Sequence, residues 1–105
     1  MTERYLYDFP SAYRIGSIEV APATVLAPMA GVTDTVFRRL MRNQGGCGLL
    51  MTEFTSSHGI VATRKGTKPR RTFRYLYFEE EEHPISSQIF GSDPEVMADA
   101  ARVCE

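Results

Sequence analysis

Leu26-Ala27-Pro28-Met29-Ala30-Gly31-Val32-Thr33-Asp34 ends an apolar strand, makes a turn of small residues and opens a helix. Pro28 has no N–H to give a ladder, so the strand stops there. Ala30 and Gly31 carry almost no side chain and let a flat ligand come close to the backbone, while Thr33 or Asp34 offers an oxygen to cap the helix. An ordinary strand-to-helix turn explains the same run, so the ligand seat needs support from the rest of the chain.

Outward from that turn the pattern repeats. Upstream, Tyr13 to Val20 places Gly16-Ser17 between two β-prone pieces, which predicts a hairpin able to cover the open end of a sheet or barrel. After Pro22, Thr24 to Met29 reads as a short buried strand. The helix after it, about Asp34 to Asn43, puts Val36, Phe37, Leu40 and Met41 on one face and Arg38, Arg39 and Arg42 on the other, read as the solvated side. Gly45, Gly46 and Gly48 stop it, and Leu49 to Phe54 forms a second strand. Strand, helix and strand together take about 30 residues, the length of a parallel crossover.

Thr55 to Ile60 begins a second helix, expected to end near Gly66. Arg64, Lys65, Lys68, Arg70, Arg71 and Arg74 are half of the 12 cations and stand just before Glu79 to Glu82. The two blocks are placed to neutralise one another, and a solvated excursion outweighs a phosphate-contacting loop as the reading of the basic one. Tyr75 to Phe78 reads as a strand or packing patch rather than a base-stacking platform. Pro84 introduces a third strand, Ile85 to Phe90, whose alternation sets Gln88 opposite to the isoleucines and, if those pack under helices, inside a barrel. Ser92-Asp93-Pro94-Glu95 is a helix start, followed by an apolar stripe through Val96, Met97, Ala100, Ala101 and Cys104.

Composition excludes several classes. The chain has 105 residues, 43% hydrophobic and 24% charged, with a net charge of -1, which fits one soluble globular domain rather than a wholesale polyanion binder. No stretch approaches the roughly 20 apolar residues of a spanning helix, and Met1 to Tyr7 lacks a secretory pattern, so a cytoplasmic protein is expected. Cys47 and Cys104 form no CxxC, which argues against a disulfide framework or a metal site. The apolar stripe runs to Glu105 without a terminating glycine. Three parallel strands would leave a sheet edge and two apolar faces open, so the sequence reads as a fragment, expected to be poorly soluble or molten when isolated.

LAPMAGVTDTVFRRL, then MTEF with SSHGI, then HPISSQIFGSDPEVMADAA occur in the order and at the spacing of the tRNA-dihydrouridine synthases. Residues 13–105 resemble the amino-terminal part of that family's FMN-binding barrel, with residues 1–12 as an irregular lead-in. The resemblance implies an α/β fold, the amino-terminal portion of a (β/α)8 TIM barrel with about three of its strands preceded by a short hairpin. It also implies flavin-dependent reduction of uridine to 5,6-dihydrouridine in tRNA, with FMN as cofactor and NADPH as reductant. The family's FMN contacts carry over to Pro28, Met29, Ala30 and Gln88. Met29 brings a soft sulfur to a ring system and Gln88 an amide with donors and an acceptor. Glu53 is a lesser candidate at the second strand's end, with the capping of a neighbouring loop as its plainer role.

In the family a cysteine in an Asn-x-Gly-Cys-Pro motif donates the proton. Neither Cys47 nor Cys104 stands in such a motif, so no catalytic residue is assigned in this chain. The family's phosphate-binding loops and tRNA-gripping domain have no counterpart either. Two alternatives remain: another FMN-dependent TIM-barrel oxidoreductase, of dihydroorotate dehydrogenase type, against which QIFGSDPE argues, and a non-catalytic barrel fragment that assembles with a partner.

Overall fold

The computed structural model describes residues 10–64 and 70–105. Most of the expected lead-in, the helix end near Gly66, and Lys65 and Lys68 of the basic block lie outside the described residues. The fold is mixed α/β. A hairpin of β1 (Tyr13–Ile15) and β2 (Ile18–Val20) comes first, in the register Tyr13↔Val20 and Ile15↔Ile18. Gly16 turns it with a positive φ of 60°, the conformation a two-residue hairpin loop requires and a glycine adopts without steric cost.

Three extended segments then lie side by side in chain order, all parallel. The first is much shorter than the sequence predicts: of Thr24 to Met29 only Val25 bridges, to Leu49. Leu26 N–H donates to the Leu49 carbonyl at 2.9 Å, and no ladder bond follows because Pro28 has no donor to continue it. The second segment comprises β3 (Leu50–Met51) and β4 (Thr55–Ser56), the third β5 (Ile85–Ser86) and β6 (Ile89–Phe90).

Register shows why each of these strands is interrupted. Leu50 pairs with Ile85 and Met51 with Ser86, but Thr55 pairs with Ile89 and Ser56 with Phe90. Thr52, Glu53 and Phe54 thus face Ser87 and Gln88 alone, which is a one-residue bulge in the second segment. Thr52 repairs the ladder with its side chain: its Oγ1 accepts from Gln88 N–H at 3.1 Å, while the Gln88 carbonyl accepts from Thr55 N–H at 2.9 Å.

Helix α1 (Thr35–Gln44) connects the first two segments and is capped by Asp34, whose carboxylate accepts from Phe37 N–H at 2.9 Å. Gly45 and Gly46 follow it with φ of 83° and 88°. Its orientation reverses the sequence expectation. Val36 and Leu40 are 62% and 54% exposed, whereas Arg38 is 2% exposed. Arg38 and Arg42 turn inward and are held there by hydrogen bonds, although Arg42 Nε is buried without a partner among the described residues. Arg38 Nε meets Glu82 Oε1 at 2.5 Å, and its other nitrogens donate to the carbonyls of Thr33 and Tyr77 at 2.8 and 2.7 Å. Glu82 also accepts from Thr35 Oγ1 and from Glu79 N–H. Arg42 reaches the carbonyls of Cys47, Glu82 and Pro84. A buried ion pair requires this kind of saturation to offset its desolvation.

The acidic run engages α1, with Arg39 meeting Glu81 at 3.5 Å on the surface. Tyr75 to Phe78 is not a strand: a 3₁₀ turn runs Arg70–Tyr75 and a second covers Glu80–Glu82.

Helices α2 (Ser57–Arg64) and α3 (Pro94–Cys104) pack on each other, burying Ile60 and Ala100 completely. Asp93 caps α3 by accepting from Glu95 and Val96 N–H, with Pro94 at the first helical position as the sequence predicts. Gly91 lies so close to α2 that a Cβ there would stand 2.2 Å from Ser57 Oγ. Val20, Leu49 and Leu50 complete the core at the base of the strands.

Candidate functional site

The two ends of the parallel segments differ. At their amino-terminal ends Ile15 and Ile18 of the hairpin, with Leu49, Pro84 and Ile85, bound an apolar hollow of about 440 Å³. A cleft of about 480 Å³ opens at the carboxy-terminal ends instead, where parallel α/β sheets hold their ligands. Ala30 and Gly31 line it after the first segment, Glu53 and Ser56 after the second. Phe54, Phe90, Arg74 and Tyr75 form the rest of its wall.

Sequence dictates the turn that borders it. The Met29 carbonyl accepts from Val32 N–H at 2.9 Å and Thr33 N–H at 3.0 Å, and Thr33 Oγ1 accepts from Met29 N–H at 2.9 Å. Thr33 is wholly buried and so closes the turn, leaving Asp34 to cap the helix. Gly31 has a φ of 78°, where an L side chain is strained. Nothing lies within 4 Å of a Cβ built on it, so the space before it is open to a ligand.

Glu53 locks this turn to the bulge. It is 8% exposed, and its Oε1 accepts from Gly31 N–H at 2.5 Å, joining residues 22 apart in sequence. The capping role open to it in the sequence is therefore the contact it makes, and the loop it caps is the candidate ligand turn itself. No described residue accepts from Ala30 N–H, which leaves that donor for a ligand.

Of the four residues expected to contact a cofactor, Ala30 lines the cleft, whereas Pro28, Met29 and Gln88 are not among its lining residues. Met29 is 46% exposed. Gln88 sits at the bulge, half-buried, with its backbone held on both sides by Thr52 and Thr55. Its side-chain amide has no hydrogen-bond partner among the described residues. Sequence reading missed the bulge, Phe54 and the placement of Tyr75, and only the polar Thr52-Glu53 pair within an apolar strand hinted at the break.

Cys104 borders a different depression, with Phe73, Leu76 and Ser87. Burial pushes its thiol up, against a hydrogen bond with Ser87 that lowers it. Among the described residues no cluster of three or more His, Cys, Asp or Glu is placed to hold a metal ion, and no helix is long and apolar enough to cross a membrane.

Residues 25–105 match the model of the dihydrouridine synthase family. The chain is 45% identical over 93 residues to tRNA-dihydrouridine synthase B of Pseudomonas syringae pv. tomato, covering 88% of this chain and 26% of that protein. It is 38% identical over 89 residues to tRNA-dihydrouridine synthase B of Xanthomonas axonopodis pv. citri, covering 85% and 25%. To a probable tRNA-dihydrouridine synthase of Aquifex aeolicus it is 43% identical over 79 residues, covering 75% and 23%. The chain thus spans about a quarter of the length of these curated relatives.

Proposed function

The chain belongs to the dihydrouridine synthase family, and on that footing we propose that it forms the opening strands and flavin-facing turn of an FMN- and NADPH-dependent enzyme that reduces uridine in tRNA to 5,6-dihydrouridine. The single observation that carries this reading is the small-residue turn Ala30-Gly31, fixed by Glu53 at the mouth of a cleft beyond the carboxy-terminal strand ends. Closure of the parallel segments into a TIM barrel, with residues 13–105 as its first part, is the architecture in which that mouth becomes a complete site. The cytoplasm, where tRNA is modified, is the compartment proposed for it.

The residues fit an isoalloxazine. Gly31 presents open space instead of a side chain, and Ala30 keeps a free N–H for a ring heteroatom or carbonyl. Met29 would lay its sulfur against the ring system with Pro28 fixing the backbone before it, and the unpartnered Gln88 amide would donate and accept along the ring's polar edge. FMN supplies, when bound, the hydride that adds to the base. The chain's own part is to hold the turn rigid: Thr33 pins Met29, Glu53 pins Gly31, and Thr52 keeps Gln88 at the bulge.

The test uses the complete gene product with undermodified tRNA, FMN and NADPH, and mass spectrometry of the digested RNA. The expected result is uridine that has gained two hydrogens, with flavin retained by the protein and largely lost in Gln88→Ala. Reduction of a free pyrimidine acid instead of tRNA, or no flavin bound at all, would overturn the proposal.

A further inference from the structure

The cleft that the Ala30-Gly31 turn lines also has an aromatic part to which the proposed flavin contacts assign no role. The bulge leaves Phe54 exposed, and Phe90 at the end of β6 stands exposed beside it, their rings edge to face with centroids 5.3 Å apart. Tyr75 is exposed as well, although aromatic residues of this kind ordinarily close a core. Arg74 lies over the Tyr75 ring at 5.2 Å and donates to its hydroxyl at 3.3 Å.

Exposed aromatic faces next to a guanidinium suit an unpaired nucleotide, which stacks its base and offers a phosphate. Charge favours the same occupant. Arg74 ends a stretch in which six cations fall between residues 64 and 74. The acids that follow are engaged elsewhere, Glu82 with Arg38 and Glu81 with Arg39. Among the described residues that line the cleft the one carboxylate, Glu53, is buried and accepts from Gly31 N–H.

We propose that Phe54, Phe90 and Tyr75 form a stacking platform for an unpaired nucleotide of an RNA strand, with Arg74 on its phosphate. This rests on reading the cleft as the site of a tRNA-modifying enzyme, and it adds the residues that hold the RNA beside the turn. A duplex cannot use such a platform, since its bases are stacked on one another.

The experiment measures fluorescence anisotropy of a labelled oligouridylate, its base-free counterpart with the same phosphates, and an RNA duplex, each titrated with the complete gene product over a range of salt. Binding of the oligouridylate should exceed that of the other two by about tenfold or more. Tyr75→Ala and Phe90→Ala should remove most of this preference while Tyr75→Phe keeps it. Arg74→Gln should weaken all three probes and reduce the salt slope by about 0.7. Equal binding of the base-free strand, an unchanged slope in Arg74→Gln, or no binding by the unaltered protein would overturn the platform. An FMN titration of the same preparation reads the underlying proposal separately. Base-dependent RNA binding without flavin binding removes the flavin reading and retains the platform, and flavin binding without base dependence does the reverse.

Discussion

Arg38 and Arg74 carry the same guanidinium to two regions with opposite fates. The first is enclosed between α1 and the Glu80–Glu82 turn, where the oxygens of Thr33, Thr35 and Tyr77 hydrogen-bond to the Arg38–Glu82 pair. Arg74 lies exposed at the lip of the cleft, touching one aromatic neighbour. Charge that is saturated with protein partners holds elements together, while charge left facing solvent is free for a ligand. The difference was not written in the local sequence, since both arginines sit among other cations.

The largest effect should follow from breaking the enclosed pair. Arg38→Met leaves Glu82 buried without its cation, a loss of about 3–5 kcal/mol, which is a large part of the whole stability of a small domain. Urea unfolding followed by circular dichroism should show a collapsed or absent transition. Arg38→Met combined with Glu82→Leu should recover most of the loss, because no uncompensated charge then remains. If the double variant is no better than the single one, the pair is not what ties the two elements together.

Glu53 offers a sharper contrast, since it is a buried carboxylate that reaches into the ligand region. Replacing it with alanine deletes a charge-assisted bond to Gly31 N–H, a loss of roughly 1.5–3 kcal/mol. To the extent that the turn relaxes, flavin affinity should fall by about tenfold or more. Glu53→Gln keeps an acceptor and should retain most of it, as read by quenching of flavin fluorescence. A smaller loss is expected at the start of the helix that carries Arg38: Asp34→Ala removes its cap and should cost about 1 kcal/mol, visible as a lower thermal midpoint with flavin affinity unchanged.

Legibility in the sequence followed how local each cause was. The caps Asp34 and Asp93, the hairpin at Gly16-Ser17 and the small-residue turn all depend on neighbours a few residues apart, and the structure contains them. What escaped depends on partners far along the chain. The period of α1 correctly grouped Val36 with Leu40 and Arg38 with Arg42, but periodicity says which residues share a face, not which face is covered. That was decided by Glu82, 44 residues from Arg38. The bulge likewise required Thr52 to meet Gln88 across 36 residues. Of the candidate site, the turn was legible as a turn and Ala30 as a lining residue. The aromatic wall was not, because Tyr75 and its neighbours carry the composition of a core strand and only tertiary placement leaves Tyr75 at the cleft.

The smallest effect on stability belongs to the lip, and it is the counterpart of the first prediction. Arg74 has no buried contact to lose and no partner charge to strand, so Arg74→Ala should leave the unfolding midpoint within about 0.5 kcal/mol of the parent. The same substitution should weaken RNA binding, with the loss shrinking as salt rises, because the contact is to a phosphate. A variant that destabilised the fold as Arg38→Met does would show that the lip is part of the scaffold after all. One that changed neither property would leave Arg74 as a surface charge and remove the reason to place RNA on that side of the cleft. Only the dissociation of the two readouts, stability held and binding lost, separates an arginine kept for a ligand from one kept for the fold.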